Sequence, residues 1–393
     1  MGAELQPKSA LDYPADHGLP APVWLFSASV DLLTFGGSTL LSLALLLLGY
    51  WQGWDVHENP EWLWIVSILL IDVAHVYATG FRVYFEPGEF RRRRWLYVMV
   101  PLLSFVLGAA IYSEGRLLFW RCLAYLAVFH FIRQQYGWVA LYRSREMSQR
   151  TAEKRDVRRT DALLDSAAIY LATLYPLVYW HTHPRHFSWF VETDFVRIPE
   201  FIETLLRPVY WIVLSAYCLR SVIDGIQGRA FNPGRDLVVL STALLWYLGI
   251  VTFNSDAAFT VTNVIAHGIP YIVLVFWYRC QTHGEHEQPV NPPSERRRPL
   301  MVHLAKFLGV IWVLAYLEEL LWDCGLWHER SWLFGNPWDI GDFDQLLVPL
   351  LAVPQITHYV LDGFIWRRQS NPDLVRLTRA DNSNLVVDQK RDQ

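Results

Sequence analysis

The sequence predicts an all-α, polytopic transmembrane bundle of about ten helices, and three observations predict it. Charged residues make up 18% of the 393, below the roughly 25% of a soluble domain. The apolar residues gather into runs close to the roughly 20 residues that a bilayer crossing needs. Phe, Trp and Tyr reach 15% of the chain, with 19 Trp among them. Amphipathic rings in that excess suit the two interfaces of a membrane.

Taken in order, spans are expected at 28–50, 62–85, 95–113, 117–142 and 163–181, then at 207–226, 236–253, 257–279, 303–323 and 344–366. Around them, residues 1–27 form an N-terminal segment, 28–366 the transmembrane domain, and 367–393 a polar tail whose composition predicts disorder. The loop 181–206 is long enough to hold a short amphipathic helix at the interface.

Connecting charges orient these spans. Lys and Arg concentrate at 91–95, 143–159, 220–235, 294–299 and 366–368, while the alternate connections WDVHENPEW, SEGR, FNSD and GNPWDIGDFD are poor in both. By the positive-inside rule the chain is multi-pass in the inner (plasma) membrane, with both termini cytoplasmic. The N-terminus has no basic start and no apolar core of a signal peptide, and Gln6 and Pro7 stand where a myristoylation motif wants Ser or Thr. A net charge of −4 excludes a nucleic-acid partner and leaves the lipid bilayer as the main one. The cysteines Cys122, Cys218, Cys280 and Cys324 lack paired spacing and read as buried thiols.

Ionisable residues within spans are costly, so those present point to function. The second span carries Asp72 and His75, and the fourth carries His130, Arg133, Gln134 and Gln135. The eighth carries Asn263 and His267, and the tenth carries Gln355, His358 and Asp362. All four spans run in one direction, and each histidine lies about 10–15 residues from its outer end. At about 1.5 Å per residue, the four imidazoles share one slab some 5–8 Å thick near the midplane. A lone histidine there is as readily an interhelical hydrogen-bonding group, but four at one depth are better explained as metal ligands. Each also has a polar residue three or four positions away on its own helix face. Asp72, Asn263, Gln355 and Asp362 are therefore candidates to orient the imidazoles. Arg133, Gln134 and Gln135 are candidates to position an oxygen-bearing substrate group.

Other polar groups rank lower. The run His181, His183, His186 lies in the long loop, and His283, Glu285 and His286 lie in a basic connection. Glu318 and Glu319 sit in the outer half of the ninth span, away from the histidine slab. Tyr77, Tyr136, Tyr271 and Tyr359 read as packing residues.

A sulfur-free imidazole site suits Fe, with Zn and Cu as alternatives. Several intramembrane histidines without desaturase H-x-x-H-H boxes resemble the Brp/Blh-type carotenoid oxygenases, polytopic bacterial proteins that use histidine-bound iron to cleave β-carotene to retinal. The resemblance lies in the histidine-bearing spans alone, and this chain has more spans than that family leads one to expect. It implies a non-haem iron oxygenase or related oxidoreductase acting on a lipophilic small molecule, served by a redox partner that the sequence does not name. Two other classes fit the same residues. A haem b electron-transfer protein would use pairs of these histidines as axial ligands, with Gly80, Gly137, Gly268 and Gly363 making room for the porphyrin. A proton-coupled transporter would use the slab as its midplane binding site.

Overall fold

The structure is a computed structural model that describes residues 22–54, 60–152, 159–183, 195–227, 232–284, 293–339, 341–367, 371 and 374–375. Within those residues the chain is all-α, with no strand. Among the described residues nine helices are long and apolar enough to cross a membrane, and the chain is a multi-pass membrane protein. They are α1 (Ala28–Gln52), α2 (Glu61–Arg82), α3 (Arg94–Glu114), α5 (Asp161–Thr182), α6 (Glu200–Ile226), α7 (Pro233–Thr252), α8 (Asp256–Thr282), α9 (Leu300–Trp327) and α10 (Asp344–Ile365). Between α3 and α5 runs α4 (Arg116–Ala152), the longest of all. Its Arg121, Arg133 and the charged residues after Tyr142 make it less apolar than the others.

Side-chain pairs at the two ends show that α4 crosses with the rest. At one end Arg116 of α4 meets Asp344 of α10, Arg330 after α9 meets Glu61 of α2 at 3.1 Å, and Trp180 of α5 meets Asn254 before α8 at 3.1 Å. At the other, Tyr142 of α4 donates to Asp31 of α1 at 2.7 Å, and Arg93 before α3 donates to the Phe364 carbonyl of α10 at 3.4 Å. Odd helices therefore end where even helices begin, and the bundle runs up and down through ten crossings.

Local chemistry sets where the helices start. Asn232 caps α7 by accepting from the Arg235 amide at 3.1 Å, with Pro233 as first helical residue. Ser255 caps α8 the same way, accepting from Ala258 at 3.2 Å. Of the loop expected to hold an interfacial helix, residues 184–194 lie outside the described residues, and residues 200–206 form the first turns of α6, which begins at Glu200 behind Pro199. His186, Glu285, His286, the first 21 residues and most of the tail lie outside the described residues.

Three irregularities position the centre of the bundle. The helix widens to π form at Ile65–Val73 in α2 and at Thr260–Val264 in α8, in each case one turn or less before a histidine. Such widened turns shift the face that the following residues present. In α10, Pro354 supplies no amide and cannot continue the preceding turn, and the chain breaks at Ala352 between Asp344–Leu351 and Val353–Ile365.

Candidate metal centre

The helices α2, α4, α8 and α10 bring His75, His130, His267 and His358 to one place. A ligand nitrogen from each lies within 4.8 Å of those of the other three, and all four residues are buried. The Nε2 atoms pair at 3.2 Å for His75 and His267 and at 3.1 Å for His130 and His358. Four nitrogens at 2.0–2.1 Å around a tetrahedral ion stand about 3.3–3.4 Å apart. Two edges of that figure are thus already present, and the group could hold a metal ion. Adjacent imidazoles meet mostly edge to face, with ring centres 4.6–5.1 Å apart.

Gly268 makes this approach possible. A Cβ at that position would stand 2.6 Å from Ile71 Cγ2 and 3.2 Å from the Ile71 carbonyl oxygen. Only without it can α8 lie against α2 closely enough for His267 to reach His75. Of the four glycines considered for a flat macrocycle, Gly268 is filled by Ile71 and Gly80 by Phe85, 3.1 Å from its Cβ position, whereas Gly137 and Gly363 have nothing within 4 Å of theirs.

Groups from several helices face the second ring nitrogens, although His75 Nδ1 makes no hydrogen bond. Asp72 faces His75 Nδ1 from one turn away at 3.5 Å. Asp362, a turn beyond His358, faces His130 Nδ1 across the α4–α10 contact at 3.8 Å. His358 Nδ1 is paired with the Thr79 hydroxyl at 2.7 Å, and Thr79 in turn contacts the Tyr271 hydroxyl at 2.9 Å. His267 Nδ1 has no hydrogen-bond partner, but its ring stacks on Phe131 at 3.8 Å between centres and 8° between planes. Tyr359 stacks on His130 at 4.8 Å.

The remaining site candidates divide by helix geometry. At 100° per residue, Gln134 lies on the face of His130, and it is buried and donates to the His267 carbonyl at 2.9 Å. Gln135 points well round the helix, where Thr242 of α7 donates to it at 3.0 Å. Arg133 is exposed, donates to the Tyr170 hydroxyl and covers the Tyr136 ring at 5.0 Å. Neither Arg133 nor Gln135 is brought to the histidines. Asn263, in the widened turn of α8, donates to Thr262 at 2.9 Å and packs on Gly249 of α7, so it does not reach His267. In the loop run, His181 is tied to the Leu177 carbonyl at 2.6 Å and the Tyr125 hydroxyl at 2.9 Å.

A cavity of about 380 Å³ lies beside the histidines, and Asp72, Phe131 and Tyr359 form the shared wall. Gln355 and Glu319 line it as well, and its rim carries Trp327, Glu329 and Arg330. Glu319 is therefore on the route to the histidines, a role that distance along its own helix does not suggest. Thr79 and Phe131 were equally hidden among the apolar residues, although Thr79 is four residues beyond His75 and shares its helix face, and Tyr271, read as a packing residue, meets the Thr79 hydroxyl.

Fold and site together define a polytopic membrane protein with a buried four-histidine group suited to a metal ion. Comparison with protein-family models, with curated proteins and with solved structures finds no match to this chain.

Proposed function

We propose that the chain is a membrane-embedded non-haem metal enzyme, an iron oxygenase or related oxidoreductase acting on a lipophilic molecule. The observation that carries this reading is the convergence of four buried, sulfur-free imidazoles on one point beside a cavity. Neutral imidazole donors suit Fe, Zn or Cu, and Asp72 and Asp362 lie where they offset a divalent charge in low dielectric. When bound, the ion would supply redox or Lewis-acid chemistry. The chain's own residues hold it: Asp72, Asp362 and Thr79 fix ring orientations, while Phe131 and Tyr359 separate the imidazoles from the cavity. The histidine pattern shared with Brp/Blh-type carotenoid oxygenases points the same way. Membrane placement completes the proposal, with both termini in the cytoplasm of a cell bounded by this inner membrane.

A haem is disfavoured by the packing of the rings, because a macrocycle between any two would have to displace the other two. A carrier remains the competing class, since the cavity reaches the centre from one end. Metal analysis and an absorption spectrum of purified protein decide among them. Near-stoichiometric iron without a Soret band supports the proposal, a Soret band means haem, and a metal-free wild type from iron-replete cells leaves the carrier.

A further inference from the structure

The cavity beside the histidines has a chemical bias that goes past its location. Six tryptophans line it: Trp64, Trp120, Trp180, Trp246, Trp322 and Trp327. Trp327 is 46% exposed, whereas Trp64, Trp180, Trp246 and Trp322 are at most 7% exposed. The wall is thus open at the bundle end and aromatic along its depth, which suits a long apolar body lying against rings.

Its polar side chains include carboxyl groups and an amide. Asp72 and Glu319 present carboxylates to the interior, and Gln355 presents an amide. The cation on the rim is committed elsewhere: Arg330 bonds Glu61 at 3.1 Å and Glu329 at 2.9 Å, and lies 3.9 Å over the Trp64 ring. A carboxylate or phosphate ligand would meet two acidic side chains and no free cation among the lining residues, a costly arrangement. A head group that donates a hydrogen bond would be received. Thr260 lines the same cavity, and its hydroxyl is 1% exposed as a residue and has no hydrogen-bond partner. A ligand oxygen can accept from Thr260 or Gln355 while its proton goes to a carboxylate, which an ammonium group cannot do.

From these groups we infer that the cavity binds a lipophilic alcohol or phenol, with its hydroxyl at Asp72, Glu319 and Gln355 and its apolar body among the tryptophans. The inference rests on the reading that this cavity serves a lipophilic substrate, and it places the hydroxyl-bearing end one side chain away from His75, across Asp72.

The test uses the full chain in lipid nanodiscs, stripped of metal, so that its result does not depend on the metal reading. The probes are 11-bromoundecan-1-ol and 11-bromoundecanoate at pH 8, whose bromine quenches tryptophan fluorescence. Quenching is expressed per probe partitioned into the bilayer. The alcohol should quench a saturable fraction of the emission, and the carboxylate should bind that site at least tenfold more weakly. Asp72→Asn and Glu319→Gln should each weaken the alcohol by about tenfold, the scale of a hydrogen bond to a charged group. Glu319→Lys should reverse the order of the two probes. Equal or tighter binding of the carboxylate to the wild type overturns the inference, and needs no variant to fold. So does unchanged alcohol binding in monodisperse Asp72→Asn and Glu319→Gln proteins. A wild type that carries no metal as purified from iron-replete cells, yet prefers the alcohol in the nanodisc assay, would sink the metal enzyme and leave this site standing.

Discussion

Thr79 illustrates how much of a metal site lies outside its ligands. Its hydroxyl meets His358 Nδ1 at 2.7 Å and thereby fixes which nitrogen of that ring faces the centre. Replacing it with Val keeps the shape and removes the hydrogen bond. Metal affinity should fall by about 10–100-fold, as for other partners of metal-bound imidazoles, and Asp72→Asn should do the same. His130→Ala should remove the metal altogether. Arg133→Gln should leave metal content unchanged, because the guanidinium lies on the outer face with Tyr170 and Tyr136. Metal content of monodisperse protein checks all four, and full occupancy in His130→Ala would end the metal reading. At this scale the sequence carried the histidines, because equal depth on parallel spans follows from counting residues. It did not carry their partners. Asp362 serves His130 and not the neighbouring His358, and Thr79 serves His358. Those pairings depend on which helices touch, a matter of packing that no single span records.

Between residues and the bundle stand the irregular turns. The apolar pattern of a membrane span is nearly uniform around its circumference, so a widened turn or a shifted face leaves no mark in it. The π turns at Ile65–Val73 and Thr260–Val264 were hidden for that reason, and Asn263 was misplaced with them. Pro354 was visible, and the break at Ala352 is its direct result. Gly268 was visible as a glycine, but its function was not: it is the contact point of α2 and α8. Gly268→Ala should push Ile71 and the α2 backbone away, part His75 from His267 and lower metal affinity by at least tenfold. The side-chain clash at 2.6 Å can be relieved, whereas the contact with the carbonyl at 3.2 Å cannot. Adding Ile71→Ala should therefore restore part of the affinity and not all of it. Metal titration of the single and double variants measures this. Equal affinity in Gly268→Ala and wild type would show that α2 and α8 need no such contact.

The bundle as a whole is fastened at one end by buried charges. Arg235 reaches Glu146 at 3.2 Å and Asp165 at 3.4 Å, and Arg220 reaches Asp165 at 2.6 Å, so α4, α5, α6 and α7 share one network. Removing one member strands the others. Asp165→Ala should cost about 3–5 kcal/mol, seen as a lowered unfolding midpoint in detergent with the metal site intact.

The same end carries the basic runs, and this yields a prediction for the whole molecule. At the opposite end most described arginines are held by acids, Arg116 by Asp344, Arg207 by Glu203, and Arg330 by Glu61 and Glu329. The excess positive charge therefore lies on one side of the bundle, and the positive-inside rule assigns that side to the cytoplasm. Because odd helices end where even helices begin, one loop fixes all the others. Reporter fusions after Arg94, Arg159, Arg229, Arg298 and Arg368 should report cytoplasm, and fusions near Glu58, His186 and Asp256 the outside. The rim of the cavity at Trp327 and Glu329 then faces outward, and a lipophilic molecule would enter from the outer leaflet. One loop on the wrong side would break the ten-crossing arrangement. A complete inversion would keep the arrangement and move the cavity mouth to the cytoplasmic leaflet.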